Sequence, residues 1–184
     1  MNNKTTIFAQ KKKMPILRKA IDTDLEKLAL IARKTFMEAH SASAPSAILN
    51  AYLDEKYTIE ALAADIADPA NYYAVLEDKG ELIGFSKVTY NSICPSLAGK
   101  NNTKLDRLYV LQTHYGLGLG YQLLQFNIAL AKENDQAGLW LFTWTENHKA
   151  ITFYEKTGFE IVGSYLFKLN EERSNPNHVM YLAF

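Results

Sequence analysis

The segment RLYVLQTHYGLGLGYQLLQ, Arg107 to Gln125, constrains the fold more than any other stretch. A run of β-formers passes through a polar turn into residues able to form a helix. Glycine recurs at Gly116, Gly118 and Gly120 across the handover. A strand that turns directly into a helix leaves the first helical amides unpaired and aimed into the turn. The helix dipole adds partial positive charge there, so the turn becomes an anion site. Glycine removes the Cβ that would keep a phosphate away, and successive amides can curl around the anion. A turn that merely needs positive φ is served by one glycine; three in alternation exceed that need. The stretch reads as a diphosphate cradle.

Spacing narrows the ligand. A dinucleotide site wants G-x-G-x-x-G and an acidic residue about 20 positions on. Here Leu123 stands where the third glycine belongs, and GLWLF lies where the acid belongs. A nucleoside-triphosphate loop wants Gly-Lys-Ser/Thr, which is absent from the sequence around the cradle. Hydride transfer and nucleotide hydrolysis are therefore disfavoured.

The flanking pattern predicts a mixed α/β single domain. PILRKA is a short strand, and TDLEKLALIARKTF a helix with a capping box at Thr23 and Glu26. SAPSAILNAYLDEKYTIEALAADIADP gives two short helices, broken near Lys56–Thr58 and stopped before Pro69. YYAVLE and ELIGFSKVTY form a hairpin turning at Gly80. KLDRLYVL is a strand, Tyr121–Asn134 a helix and LWLFTW a strand. NHKAITFYEKTG is a helix ended by Gly158, and FEIVGSYLFKLN and HVMYLAF are the final strands. Residues 1–13 read as a disordered lead, with the patterned domain over 14–184.

LYVLQTHYGLGLGYQLL, followed by NHKAITFYEKTGFE, resembles the GNAT superfamily of acetyl-CoA-dependent N-acetyltransferases. The first block is similar to that family's Q/R-x-x-G-x-G/A signature and the second to its N-x-x-A-x-x-F-Y-x-x-x-G-F segment. TFMEAH, LNAYLDEKYTIEALAADI and the LWLFTWTENHKAITFYEKTGFEIVGSYLF tail look most like the bacterial PaiA-type polyamine acetyltransferases. The resemblance implies a GNAT-like fold: a mixed, mostly antiparallel central sheet flanked by helices, with a splayed strand pair holding CoA. It implies acetyl transfer to a primary amine, such as spermidine, by direct attack on the thioester. Other acceptors in such a family are a protein N-terminus, a lysine or another small amine. A non-catalytic CoA-binding regulator is a further alternative.

The resemblance also assigns residues. Leu108, Tyr109 and Val110 would offer backbone groups to pantetheine, and Tyr115, Gly116, Leu117, Gly118, Leu119 and Gly120 would hold the diphosphate. Asn147 would cap its helix and bond the pantetheine arm, and Lys156 would lie near the 3′-phosphate. One departure stands out: the family's Gln or Arg is Tyr115 here, so a polar side chain for the diphosphate is missing.

Tyr154 is the candidate acid, because a phenol can protonate a departing thiolate; the plainer reading is that it packs with Phe153. An alkylammonium must also lose a proton before attacking. Asp106 is the nearest acidic residue on the cofactor strand and the candidate base. Strict alternation puts it on one face with Leu108 and Val110, unless a bulge shifts that parity. A surface carboxylate paired with Lys104 or Arg107 is the rival reading, and a water chain ending on Glu146 another. For a polyamine, Glu38, Asp54 and Glu55 would supply negative charge to the acceptor cleft.

Lys and Arg number 20, as do Asp and Glu, so no global basic field is available to hold nucleic acid. No apolar run reaches the roughly 18 residues of a membrane span. The polar N-terminus lacks a secretory h-region. Together with the single cysteine, Cys94, this points to a cytoplasmic protein. His40, His114, His148 and His178 have no metal-ligand spacing, so no metal is expected. The terminal strands YLFKLN and MYLAF could pair two copies into a homodimer, and a monomer fits the sequence equally.

Overall fold

The structure, a computed structural model, describes residues 14–99 and 101–184; the lead expected over 1–13 lies outside them. Strand β1 (Ile16–Lys19) is followed by helices α1 (Leu25–His40), α2 (Ser46–Lys56) and α3 (Ile59–Ala67). Then come β2 (Asn71–Asp78), β3 (Glu81–Thr89), β4 (Asn102–Val110), α4 (Leu119–Glu133), β5 (Gly138–Trp144), α5 (His148–Lys156), β6 (Glu160–Lys168) and β7 (Ser174–Ala183). The seven strands make one sheet in the order β1-β2-β3-β4-β5-β7-β6, antiparallel except between β4 and β5.

Both sheet faces are covered, and strand alternation assigns each side chain to one of them. Tyr73, Val75 and Phe85 pack beneath α1, α2 and α3 with Leu28, Phe36, Leu53 and Leu62. Ala74, Leu76, Ile83 and Val110 pack with Leu119 and Leu123 of α4. The β2–β3 hairpin turns on Lys79 and Gly80, both with positive φ (52° and 84°), the geometry of a two-residue type I′ turn.

Two expectations need correction. The cap of α1 is not Thr23. A short 3-10 turn over Asp22–Asp24 precedes the helix, and Asp24 bends back to accept from the Ile21 amide at 2.9 Å and to pair with Arg18 at 2.6 Å. The pull of the Arg18 guanidinium holds the Asp24 carboxyl below its ordinary range. MYLAF, in turn, is no sheet edge: β7 is paired on both sides, with β5 and with β6. Of the two, only β6 leaves an edge open.

The β4–β5 junction positions the site. The two strands pair through only three residues, Asn102 to Lys104 against Gly138 to Trp140, and then part. The parting coincides with a bulge. Arg107 lies opposite Lys87 and Leu105 opposite Val88, so Asp106 is the extra residue. A bulge bends its strand and adds twist, which here carries β4 away from β5. From Leu105 onward, the β5-facing edge of β4 has no strand beside it.

Candidate active site

The parted strands wall a cleft of about 740 Å³, lined by Leu105–Val110 of β4, Phe142–Trp144 of β5, the glycine turn and α5. Two of the three glycines in the turn have the positive φ that a tight turn needs, and the third does not. Gly116 (φ 79°) and Gly118 (φ 75°) are left-handed, and Gly118 is the N-cap of α4. A side chain in that conformation is strained. Gly120 differs, since it is helical. A Cβ there would meet only Leu108 Cδ2 and Phe153 Cζ at 4.0 Å, and those are the atoms bordering the cleft. The first amides of α4 thus face an approach free of side chains.

Tyr115, where a polar side chain was expected, is 42% exposed. Lys149 of α5 sits over its ring, Nζ 3.7 Å from the centroid, and both line the cleft. A cation therefore stands at the cradle despite the tyrosine.

Asn147 is the N-cap of α5 and accepts from the Ala150 amide at 3.2 Å. At the other end, the Gly158 amide bonds to the Glu155 carbonyl and the Phe159 amide to the Tyr154 carbonyl. This is a Schellman cap, with its usual apolar contact between Phe159 and Tyr154, ring centroids 5.3 Å apart. The cap and the contact fix the Tyr154 ring, which is 8% exposed and lines the cleft. Burial pushes its phenol well above the ordinary value, so the proton stays on the oxygen.

Asp106 does not share a face with Leu108 and Val110. The bulge turns it to the α1–α3 side, where Oδ2 accepts from Thr89 at 2.7 Å and Oδ1 pairs with Lys104 at 2.6 Å. The carboxylate still borders the cleft. Leu108, Tyr109, Val110, Leu119 and Lys156 line the cleft; Leu117 does not, and is 57% exposed. Of the three carboxylates expected at the acceptor side, Glu38 lines the cleft and accepts from the Gln112 amide at 2.9 Å. Asp54 is turned to Arg33 and Glu55 to Lys56, both largely exposed.

Sequence reasoning passed over His40 and Arg107. His40 Nε2 lies 3.1 Å from the Tyr109 hydroxyl, and burial lowers its pKa to about 4. Both residues also line a second cavity of about 270 Å³ on the α1–α3 side, which shares Asp106, Tyr109 and Trp144 with the first. The one signal available in sequence was the lone arginine inside LDRLYVL.

The acetyltransferase (GNAT) family model matches residues 33–159 of this chain. An uncharacterised N-acetyltransferase of Lactobacillus delbrueckii subsp. lactis is 25% identical over 152 residues, covering 83% of this chain and 88% of that one. An uncharacterised N-acetyltransferase of Mycobacterium tuberculosis is 27% identical over 154 residues, covering 83% and 94%. In fold the chain is similar to the PaiA N-acetyltransferase of Thermoplasma acidophilum, solved with coenzyme A, at TM-score 0.76 and 20% identity over 94% of this chain and 100% of that one. The chain belongs to the acetyltransferase (GNAT) family and is an N-acetyltransferase that uses acetyl-CoA. The free strand edge and side-chain-free cradle fit that group. No helix among the described residues is long and apolar enough to cross a membrane.

Proposed function

We propose that the chain transfers an acetyl group from acetyl-CoA directly to a small primary amine, without an acyl-enzyme stage. The observation that carries this reading is the three-residue β4–β5 ladder that parts at the Asp106 bulge and opens onto the glycine cradle. Bound acetyl-CoA supplies an acetyl group activated as a thioester. The β4 edge at Leu108, Tyr109 and Val110 offers amides and carbonyls to the pantetheine arm, as an edge strand would to a partner. The Asn147 side chain, already turned back as a cap, bonds the same arm. Residues Tyr115–Gly120 take the diphosphate through backbone amides, with Lys149 adding charge and Lys156 serving the 3′-phosphate. Tyr154 keeps its proton at the hydroxyl for the leaving sulfur.

The amine arrives as an ammonium, since alkylamines titrate near about 10.4. Asp106 borders both cavities and is the carboxylate to which that proton passes, directly or through water. Its partners Thr89 and Lys104 hold it in place.

The PaiA-type sequence pattern favours a polyamine such as spermidine as the acceptor. The charges of the second cavity favour a different acceptor, argued below. The test is to mix the protein with acetyl-CoA and a panel of amines, spermidine included, and follow free thiol. Release with at least one amine is expected; none across the panel overturns the activity. We place the enzyme in the cytoplasm on its sequence features, and we take the open β6 edge, with Tyr165 and Leu166 exposed, as the surface for a second copy.

A further inference from the structure

The second cavity carries an unbalanced charge. Its lining includes the cations Lys56, Lys87, Lys104 and Arg107, but a single carboxylate, Asp106. Lys56 is turned to Glu55 at the rim. Inside, Lys104 is paired with Asp106 at 2.6 Å and Lys87 with Asp65 at 2.9 Å. Arg107 has only a loose ion pair. Its nearest carboxylate oxygen, on Asp65, is 4.0 Å away and already accepts the Tyr73 hydroxyl.

The Arg107 guanidinium is nearly enclosed, its side chain 13% exposed. It stacks over the Tyr57 ring, with the central carbon 4.4 Å from the centroid. Among the described residues, the one hydrogen bond from its side chain goes to the Tyr73 hydroxyl, at 2.7 Å. A guanidinium has five N–H donors in a rigid fork. A buried cation with most of its donors idle costs stability unless an anion meets it. The fork matches a carboxylate in a two-point contact.

Much of the remaining wall is aromatic, with Phe36, Tyr52, Tyr57, Phe142, Trp144 and Phe167 around the space, and Ser43, Asn175 and Asn177 add neutral polar groups. Phe36 and Tyr52 stack at 5.2 Å, and Tyr52 meets Phe167 edge-on at 6.4 Å. Such a wall suits a flat or apolar body. It gives no second carboxylate to receive the far ammonium of a polyamine, which would instead approach Arg107, Lys87 and Lys104 against their charge.

We propose that the acceptor is an amine that also bears a carboxylate and an apolar or aromatic body, an amino acid or a very short peptide, and that Arg107 binds the carboxylate. Arg107 and Asp106 both border the thioester cleft as well as this cavity. An acid group held by Arg107 therefore leaves its amine at the junction, beside the carboxylate that takes the proton. The size agrees, since about 270 Å³ holds an amino-acid-sized molecule.

The inference rests on the acetyltransferase reading, and its test separates the two. Matched pairs are compared on the intact protein: phenylalanine with phenethylamine, and tyrosine with tyramine, alongside spermidine. The expected result is a kcat/KM for each amino acid at least roughly 10-fold above its decarboxylated partner, the scale of a charged hydrogen-bonded contact. Calorimetry with the CoA-loaded protein should give the same preference without turnover. Arg107→Gln should collapse the preference to within a few-fold while CoA affinity stays unchanged. Arg107→Lys, which keeps charge but loses the fork, should fall between. If Arg107→Gln does not fold, the wild-type pairs alone decide. Turnover or binding that favours phenethylamine, tyramine or spermidine over the amino acids overturns the proposal and leaves acetyl transfer standing. Thiol release with none of them, but Arg107-dependent binding of the amino acids, overturns the activity and leaves the anion site standing.

Discussion

Lys149 rests on the face of Tyr115, its ammonium 3.7 Å from the ring centroid, at the mouth of the glycine cradle. The pair joins two segments that are 34 residues apart in sequence and meet only because α5 packs beside the strand-to-helix turn. It puts a cation where the signature residue of the cradle is a tyrosine. Replacing Lys149 by Ala should weaken CoA binding roughly 10-fold, the scale of a lost charge-assisted contact. Adding Tyr115→Gln to that variant should recover part of the loss, whereas Tyr115→Gln alone should change affinity little. Calorimetric Kd values for CoA at two salt concentrations check this, since the Lys149 contribution should shrink as salt rises.

Gly120 separates stability from binding. Its helical backbone and the 4.0 Å clearance mean that a methyl group fits the free protein. Alanine favours a helix over glycine by up to about 1 kcal/mol. Gly120→Ala should therefore melt no lower than the parent and keep its CoA affinity within a few-fold, since the signature this turn resembles admits alanine at the same place. Gly120→Leu should also stay folded and yet lose at least roughly 10-fold in CoA affinity, because the longer side chain occupies the approach to the amides and leaves them unmatched. Thermal melts with and without CoA read both effects. A leucine variant that binds CoA normally would mean the ligand does not pass close to this residue.

Tyr154 should matter to rate far more than to binding. General acids contribute about 100- to 10,000-fold, so Tyr154→Phe should lower kcat by at least about 100-fold with little change in KM for acetyl-CoA. Burial raises the phenol above its ordinary value near about 10. The donor is thus loaded throughout the physiological range. Any loss of rate in the wild type between pH 8 and 10 must come from another group and should persist, in shape, in the Phe variant.

His40 makes the protein sensitive to acid. Its folded pKa, lowered to about 4 by burial, lies below the ordinary 6.5. As pH falls, the unfolded chain takes up a proton first. The stability due to neutral His40 is complete above about 6.5 and disappears progressively toward about 4. At roughly 1.36 kcal/mol per unit the loss is on the order of 3 kcal/mol at most. Urea midpoints at pH 7.5 and 4.5 should differ by more in the wild type than in His40→Gln. The acid-lowered Asp24 does not compete here, because its contribution is lost only below the ordinary carboxylate range.

The glycine cradle, the Asn147 cap and the Gly158 terminus were legible because each depends on the backbone of a few consecutive residues. Tyr154 was singled out by its place in the segment that resembles the family's F-Y-x-x-x-G-F pattern, and the Schellman cap that aims its ring is written in YEKTGF. The bulge at Asp106 was not, since nothing in LDRLYV says which residue will be doubled against Lys87; that is decided by the β3 register. The aromatic cavity was invisible too. Tyr57, Arg107 and Phe167 come from a helix end and two strands far apart in the chain; the two aromatics read in sequence as ordinary core residues and the arginine as a surface ion-pair partner. Thr23 was a sound cap by local rule, but Arg18 reaches across from β1 and draws Asp24 into the role of anchoring the turn.

The position of β7 has a bearing on how the chain is made. It fills the slot between β5 and β6, although it is made after both of them. Until it arrives, β5 has only its three ladder pairs with β4, because the rest of that side faces the cleft. A nascent chain with β1 to β6 already out would thus carry two bare strand edges in its middle, the kind of surface on which chains cling to each other. The cleft between the parted strands leaves the half-built molecule most in need of the ten residues of β7.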